Sequence, residues 1–309
     1  MDKFVFGPVP SRRLGYSLGV DIIPRKYCNF NCIYCQIGKT TGKNTARRAF
    51  FQPKEVAKQV VDAIYAAEKV DFVTFSGSGE PTLNKNLGSI IQEIKKNTAA
   101  PVAVITNSSL FNLKEVRNDL IHADVVLPSL DAASDEMFQR INRPLTSIDI
   151  KGVIEGIRRF RKEYSGLIWL EIMCIKGLND TEDELRKLFY IVNGLDVDKI
   201  HLNTVTRPPS EVNAGPLSQG ELERIRKIFG DKCEVISTFK KDGIQRQQVG
   251  WADELVETLK RRALTIHDIT KITGVASPNV MEQLRAMKKN GLIETYRLGK
   301  DIYYIASDR

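Results

Sequence analysis

The sequence lacks any apolar run that approaches the roughly 18 residues needed to cross a bilayer, so no membrane partner is expected. Its opening, MDKFVFGPVPS, has no basic segment leading into an apolar one and no small-residue cleavage site, and it reads as carrying no secretory signal. Cysteine is scarce, five in 309 residues, with three of the five inside eight positions. That spacing excludes the paired framework of a small disulfide-rich domain and points to a reducing, cytoplasmic setting. Low-complexity tracts are absent. A hydrophobic content of 42% is enough for a sizeable core, in one large domain or two modest ones.

Acidic residues are missing from one stretch. Between Ile22 and Lys54 there is no Asp or Glu, whereas Arg25, Lys26, Lys39, Lys43, Arg47, Arg48 and Lys54 are all basic. The whole chain carries +8, from 46 Lys and Arg against 38 Asp and Glu. Such an excess favours anionic partners, RNA among them, and equally describes a solvated loop. Arg12 and Arg13 lie just upstream and add to the same surface.

What is present is an alternation of short apolar runs with helical patterns. Six runs read as strands: 18–23, 71–76, 101–106, 123–129, 167–175 and 199–205. Several are almost wholly apolar, as strands covered on both faces are. Apolar residues at three- and four-residue spacing, such as Val56, Val60 and Ile64, mark crossover helices between them. Thr181 with Glu184 three residues on forms a capping-box pattern. The alternation predicts βα units around a parallel sheet. A helix near 221–228 and a short strand CEVIS follow, and the polar stretch from Lys240 to Gly250 reads as a linker. Three helical segments come next, the third with Ser277 as cap and Pro278 at its first helical position, and then two short strands joined at Gly299 and Lys300. The expected division is a core over 1–240, a linker over 241–251 and a winged helix-turn-helix over 252–309.

The chemistry is concentrated in KYCNFNCIYCQIG, where Cys28, Cys32 and Cys35 are spaced so that one short loop can wrap three thiolates around a cubane iron–sulfur cluster. Three ligands for four irons leave one iron open to a chelating small molecule. A zinc site completed by His122, His201, Cys174 or Cys233 is the other reading, although zinc knuckles bring cysteines in two pairs and no second pair exists here. The second strand ends in SGSGEPTL. Gly77, Ser78 and Gly79 allow close approach of a ligand, and the carboxylate of Glu80 can accept from an ammonium group; an ordinary βα turn is the plain alternative.

The cysteine triplet with Tyr34 before its third member resembles the hallmark of the radical S-adenosylmethionine (SAM) superfamily. The resemblance implies a partial (β/α)6 barrel bearing a C-terminal winged helix, a [4Fe-4S] cluster on Cys28, Cys32 and Cys35, and SAM at the open iron. It implies SAM contacts from Tyr34, from the Gly77, Ser78, Gly79 and Glu80 segment, and from Asn107, Ser129 and Asp131 at the ends of later strands. The reaction implied is reductive cleavage of SAM to a 5'-deoxyadenosyl radical that takes a hydrogen atom, fed by a one-electron reductant such as ferredoxin or flavodoxin. The runs FGPVPSRRLGYSLGVDII and HLNTVTRPP extend the resemblance to iron–sulfur oxidoreductases related to the tRNA wybutosine-synthesis enzyme. That enzyme carries further N-terminal cysteines, and this chain has none before Cys28. RNA or a nucleotide is the expected substrate, with a protein or peptide recruited by the winged helix as the alternative. A DNA-binding iron–sulfur sensor is a third reading. Residues 251–309 carry ten basic against eight acidic residues, so DNA contact and protein docking both stay open for that module.

Overall fold

The computed structural model describes residues 3–40, 42–43, 46–236 and 251–307. It begins with an antiparallel hairpin, β1 (Val5–Ser11) and β2 (Gly15–Val20), closed by a turn holding Arg12 and Arg13. A short pairing of β3 (Tyr27–Cys28) with β4 (Gly42–Lys43) brackets the cysteine loop. The βα alternation then runs α1 (Pro53–Ala66), β5 (Phe72–Phe75), α2 (Leu87–Asn97), β6 (Val102–Thr106), α3 (Lys114–Leu120) and β7 (Val125–Pro128). It continues through α4 (Asp135–Ile141), α5 (Ile150–Glu163), β8 (Leu167–Cys174), α6 (Glu182–Asn193), β9 (Lys199–Thr204), α7 (Gln219–Phe229) and β10 (Cys233–Val235).

These strands form one curled eight-stranded sheet in the order β1-β2-β5-β6-β7-β8-β9-β10, parallel throughout except for β1. All six strands expected from the sequence are present. The first is displaced: it occupies Gly15–Val20 because β1 pairs with it there, and the chain leaves the sheet at Asp21. Burial explains the apolar runs, since every residue of β2 and β7 is buried. The helices are amphipathic. Along α5, Ile150, Val153, Ile157 and Phe160 are buried at three- and four-residue spacing, each worth about 1.5–3 kcal/mol, and Asp149 caps the helix by accepting from the amide of Gly152 at 2.7 Å. The Thr181 cap of α6 accepts from the amide of Glu184, but the Glu184 carboxylate does not close the box. It accepts instead from Ala133 N at 2.6 Å and Ser134 Oγ at 3.3 Å, and so braces the start of α4.

The C-terminal module contains α8 (Trp251–Arg261), β11 (Leu264–Thr265), α9 (Ile266–Thr273), α10 (Ser277–Lys289), β12 (Ile293–Leu298) and β13 (Asp301–Ala306). Its strands make a small sheet in the order β11-β13-β12, the wing of a winged helix. Ala276, not Ser277, is the residue that precedes α10, and Ser277 is its first helical residue. Residues 240–250, read as a linker, lie outside the described residues. The module packs on the barrel through β1, whose Phe6 and Val9 join the apolar cluster of Leu255, Leu259, Ile269 and Leu284. Hydrogen bonds add to that contact. Tyr303 donates to the carbonyl of Thr206 at 2.6 Å, and Arg207 Nε donates to the carbonyl of Ala263 at 3.2 Å.

Candidate active site

After β2 the chain turns off the sheet into the cysteine loop, and three distant segments satisfy the loop's backbone. Lys26 N donates to Ser78 O at 2.7 Å, Glu80 N to Tyr27 O at 3.2 Å, Ile33 N to Ile141 O at 2.9 Å, and Ser210 Oγ to Cys32 O at 2.9 Å. Phe30 and Ile33 anchor the loop in the core, Phe30 meeting the ring of Phe138 edge-on at 5.3 Å. Cys28, Cys32 and Cys35 consequently line one cavity of about 320 Å³ at the C-terminal ends of the parallel strands. Tyr34, Gly77, Ser78, Gly79, Glu80, Asn107 and Ser129 line it too. Binding sites on parallel sheets are found at these strand ends because the connecting loops converge there.

Burial pushes the Cys28 thiol up to about 12, reinforced by the charge of Glu80, and raises Cys32 well above the usual range, reinforced by Cys28 and Cys35. Amide hydrogens approach the sulfurs: Asn107 Nδ2 lies 3.7 Å from Cys28 Sγ and Asn142 Nδ2 lies 3.6 Å from Cys32 Sγ. Such contacts tune an iron–sulfur centre. The donor set fits a cluster held by three protein thiolates, whose negative charge the irons would offset. The candidates for a fourth zinc ligand are occupied elsewhere. Cys174 and Cys233 are in the barrel core, His201 packs on the ring of Trp169 at 5.3 Å, and His122 bonds Gln92. Among the described residues no three His, Cys, Asp or Glu side chains are grouped closely enough to hold a single metal ion.

Glu80 is 3% exposed. Its Oε1 accepts from Thr82 N at 3.0 Å, Thr82 Oγ1 at 2.6 Å and Thr106 Oγ1 at 2.6 Å, and its Oε2 accepts from Asn107 N at 2.8 Å. Burial raises its pKa, while these neutral donors pull the other way and keep a carboxylate tolerable. The small residues before it are fixed by packing as well as by any ligand. A Cβ on Gly79 would lie 2.1 Å from Tyr27 O, and one on Gly77, at φ +137°, would lie 2.6 Å from Asp21 Cγ. Ser78 donates through both its amide and its hydroxyl to Asp21, at 3.1 and 2.6 Å.

The remaining expected residues divide between the cavity wall and a supporting layer. Ser129 lines the cavity. Asn107 donates to Asn29 Oδ1 at 2.7 Å and accepts from Ser109. Asp131 is buried behind Tyr34, accepting from Tyr34 Oη at 2.5 Å, Asn142 Nδ2 at 2.7 Å and Met173 N at 2.9 Å. Glu171 both faces the cavity and pairs with Arg13, with Asn203 donating to it at 3.0 Å.

Several residues here were not singled out from the sequence. Asp21 interrupts the apolar run of the first strand, which was a legible sign, and it accepts from Arg261 Nε at 2.7 Å. Asn142, Arg207, Arg261 and Arg262 carry no local sign because their partners are remote in sequence. The basic stretch 22–54 is partly neutralised in the fold, Arg47 pairing with Asp119 and Lys39 with Glu211. Positive charge is concentrated instead on another wall of the cavity, where Arg12, Arg13, Arg207 and Arg262 meet. Burial and then repulsion from neighbouring arginines pull Arg12 down to about 9, burial and Arg207 pull Arg13 to about 10, and Arg262 falls well below the usual range. Guanidinium nevertheless keeps its proton at neutral pH.

A curled parallel sheet with a three-cysteine loop and a glycine-rich acidic turn at its strand ends defines the class. A family model described as the Radical SAM superfamily matches residues 22–189, and the chain belongs to that superfamily. It therefore uses a [4Fe-4S] cluster and SAM, and it needs an external reductant. A second family model, described as bacterial regulatory protein of the arsR family, matches residues 254–295. The chain is 33% identical to a protein of Helicobacter pylori named UPF0026 protein, covering 98% of this chain and 97% of that one. It is 37% identical to a protein of Brachyspira hyodysenteriae named GTPase Obg, covering 94% of this chain but only 43% of that relative. A crystal structure of a radical SAM methyltransferase from Sphaerobacter thermophilus shares the fold at TM-score 0.53 and 20% identity, covering 71% of this chain and 65% of that one. No helix among the described residues is long and apolar enough to cross a membrane.

Proposed function

We propose that Cys28, Cys32 and Cys35 hold the cluster, that Glu80 accepts from the ammonium group of SAM, and that the chain abstracts hydrogen from a nucleotide or RNA substrate as an oxidoreductase-type radical SAM enzyme. The observation that carries this reading is Glu80: a buried carboxylate facing the same cavity as the three thiols, whose donors among the described residues are all neutral. A carboxylate so placed has its strongest complement in a cation supplied by a ligand. When bound, the cluster and SAM supply a one-electron cleavage that yields a 5'-deoxyadenosyl radical.

The residues supply binding and orientation. Gly79 brings the turn against the cysteine loop and Gly77 brings it against Asp21; Ser129 and Asn107 complete the polar wall, and Asp131 holds Tyr34 in place through its hydroxyl. An anionic substrate is supported by the arginine wall. Ferredoxin or flavodoxin would deliver the electron. Anaerobic reconstitution with iron and sulfide, followed by dithionite and SAM, is expected to yield 5'-deoxyadenosine and methionine. An intact cluster that forms neither product would overturn the reading. Cys32→Ala is expected to abolish the cubane absorption, and a variant with an unchanged spectrum would remove the ligand assignment.

A further inference from the structure

We propose that Arg12, Arg13, Arg207 and Arg262 form a phosphate-binding subsite of the substrate pocket, built jointly by the barrel and the winged helix, and that its ligand is the phosphate of a nucleotide. The inference rests on the reading of this cavity as the SAM and substrate pocket. It assigns the winged helix a place in the active-site wall.

Three separate stretches of chain deliver the four guanidiniums to one cavity: the β1–β2 turn, the segment after β9, and the residue that follows α8. Each is steered by one hydrogen bond. Arg12 Nη1 donates to Ile236 O at 3.0 Å, Arg207 Nε to Ala263 O at 3.2 Å and Arg262 Nη2 to Pro10 O at 2.6 Å, while Arg13 pairs with Glu171. A guanidinium has five N–H donors in a rigid fork, so these bonds fix its plane and leave further donors available. Arg262 Nε is a buried donor with no partner among the described residues.

Charge points the same way. Among the described residues two carboxylates act on the four cations: Glu171 on Arg13, and Asp268 on Arg12, Arg207 and Arg262. Asp268 is already committed to capping α9, accepting from Thr265 N at 3.1 Å and Thr265 Oγ1 at 3.0 Å. Two positive charges are left in excess, the complement of a phosphate monoester carrying about −1.5 to −2 at neutral pH. Fastening the module to the barrel does not require this arrangement, since the same carbonyls would accept from neutral donors without four like charges repelling one another. Among phosphate-bearing ligands a nucleotide is favoured by the shape of the site. Thiols and guanidiniums line one cavity of about 320 Å³, the scale of a small-molecule pocket.

The test uses the full-length, anaerobically reconstituted protein and equilibrium dialysis with AMP, CMP, GMP and UMP beside the four matching nucleosides. At least one monophosphate is expected to bind about ten-fold or more tightly than its nucleoside, with the preference shrinking as salt rises. Arg207→Gln and Arg262→Gln are each expected to weaken that nucleotide about ten-fold while leaving nucleoside binding in place, with partial recovery in Arg262→Lys. Equal binding of nucleotide and nucleoside would overturn the proposal, as would a phosphoserine peptide that binds better than all four nucleotides. Should the glutamine variants not fold, competition on the unaltered protein decides: inorganic phosphate that displaces the nucleotide supports the subsite, and phosphate that does not displace it overturns it. Formation of 5'-deoxyadenosine is followed on the same preparation. SAM cleavage without a phosphate preference sinks the subsite alone, and a phosphate preference without SAM cleavage sinks the SAM reading alone.

Discussion

Replacing Glu80 by Gln keeps its shape and removes its charge. If the carboxylate receives the SAM ammonium, the change costs about 1.5–3 kcal/mol of binding, roughly a ten- to hundred-fold rise in the Kd for SAM by calorimetry. Unchanged affinity would place the ammonium elsewhere. His201 supplies a pH dependence. It is 2% exposed, its Nδ1 has no hydrogen-bond partner among the described residues, and burial followed by the Arg13 charge lowers its pKa from 6.5 to about 3. Between those values the unfolded chain binds the proton and the folded one does not, so stability falls as pH falls, by up to about 1.4 kcal/mol per pH unit. Denaturation midpoints between pH 7 and 4 are expected to fall less steeply in His201→Asn than in the unaltered chain. Parallel slopes would remove His201 as the cause. At this scale the sequence was most legible where chemistry is local: three cysteines in eight positions and a glutamate following glycines. It was silent on Asn142 and Arg262, ordinary residues brought to the cavity or its cysteines by a fold whose contacts lie far along the chain.

The turn that ends β5 and the cysteine loop are packed as one unit, and Gly79 is where they touch. Gly79→Ala would push a methyl into Tyr27 O and Ile23 Cγ2, within 2.1 and 2.5 Å. A loss of about 1–3 kcal/mol and a fall in iron bound per chain after reconstitution are expected. Gly220→Ala in α7 meets no atom within 4 Å and serves as the control, with iron content unchanged. Iron retained in both variants would uncouple the two loops. Elements with a strong period were the easiest to read, which is why all six barrel strands were found. β1 was not, because Gly7, Pro8 and Pro10 argue against a strand; it survives at the sheet's edge, where a missing amide donor is tolerated. The Thr181 box was half right, since α4 takes the Glu184 carboxylate.

Across the whole molecule, the pairing of Arg261 with Asp21 ties α8 to the turn that carries Gly77 and Ser78. Their side chains are 13% and 4% exposed. Arg261→Gln leaves a buried carboxylate with only the Ser78 donors and is expected to cost about 3 kcal/mol, read as a lowered urea midpoint. Asp21→Asn combined with Arg261→Gln is expected to recover part of that loss, and a strictly additive double variant would show that the two groups do not interact. β1 has a double allegiance of another kind: its backbone belongs to the barrel sheet, while Phe6 and Val9 lie in the apolar cluster of the winged helix. During synthesis those two side chains emerge long before Leu255 and Leu284 exist to cover them. At about 5–20 residues per second the wait is on the order of ten to fifty seconds. For that interval the nascent barrel displays an uncovered apolar strand at its sheet edge, the kind of surface that chaperones bind, so burial of this face waits on a module made long after β1.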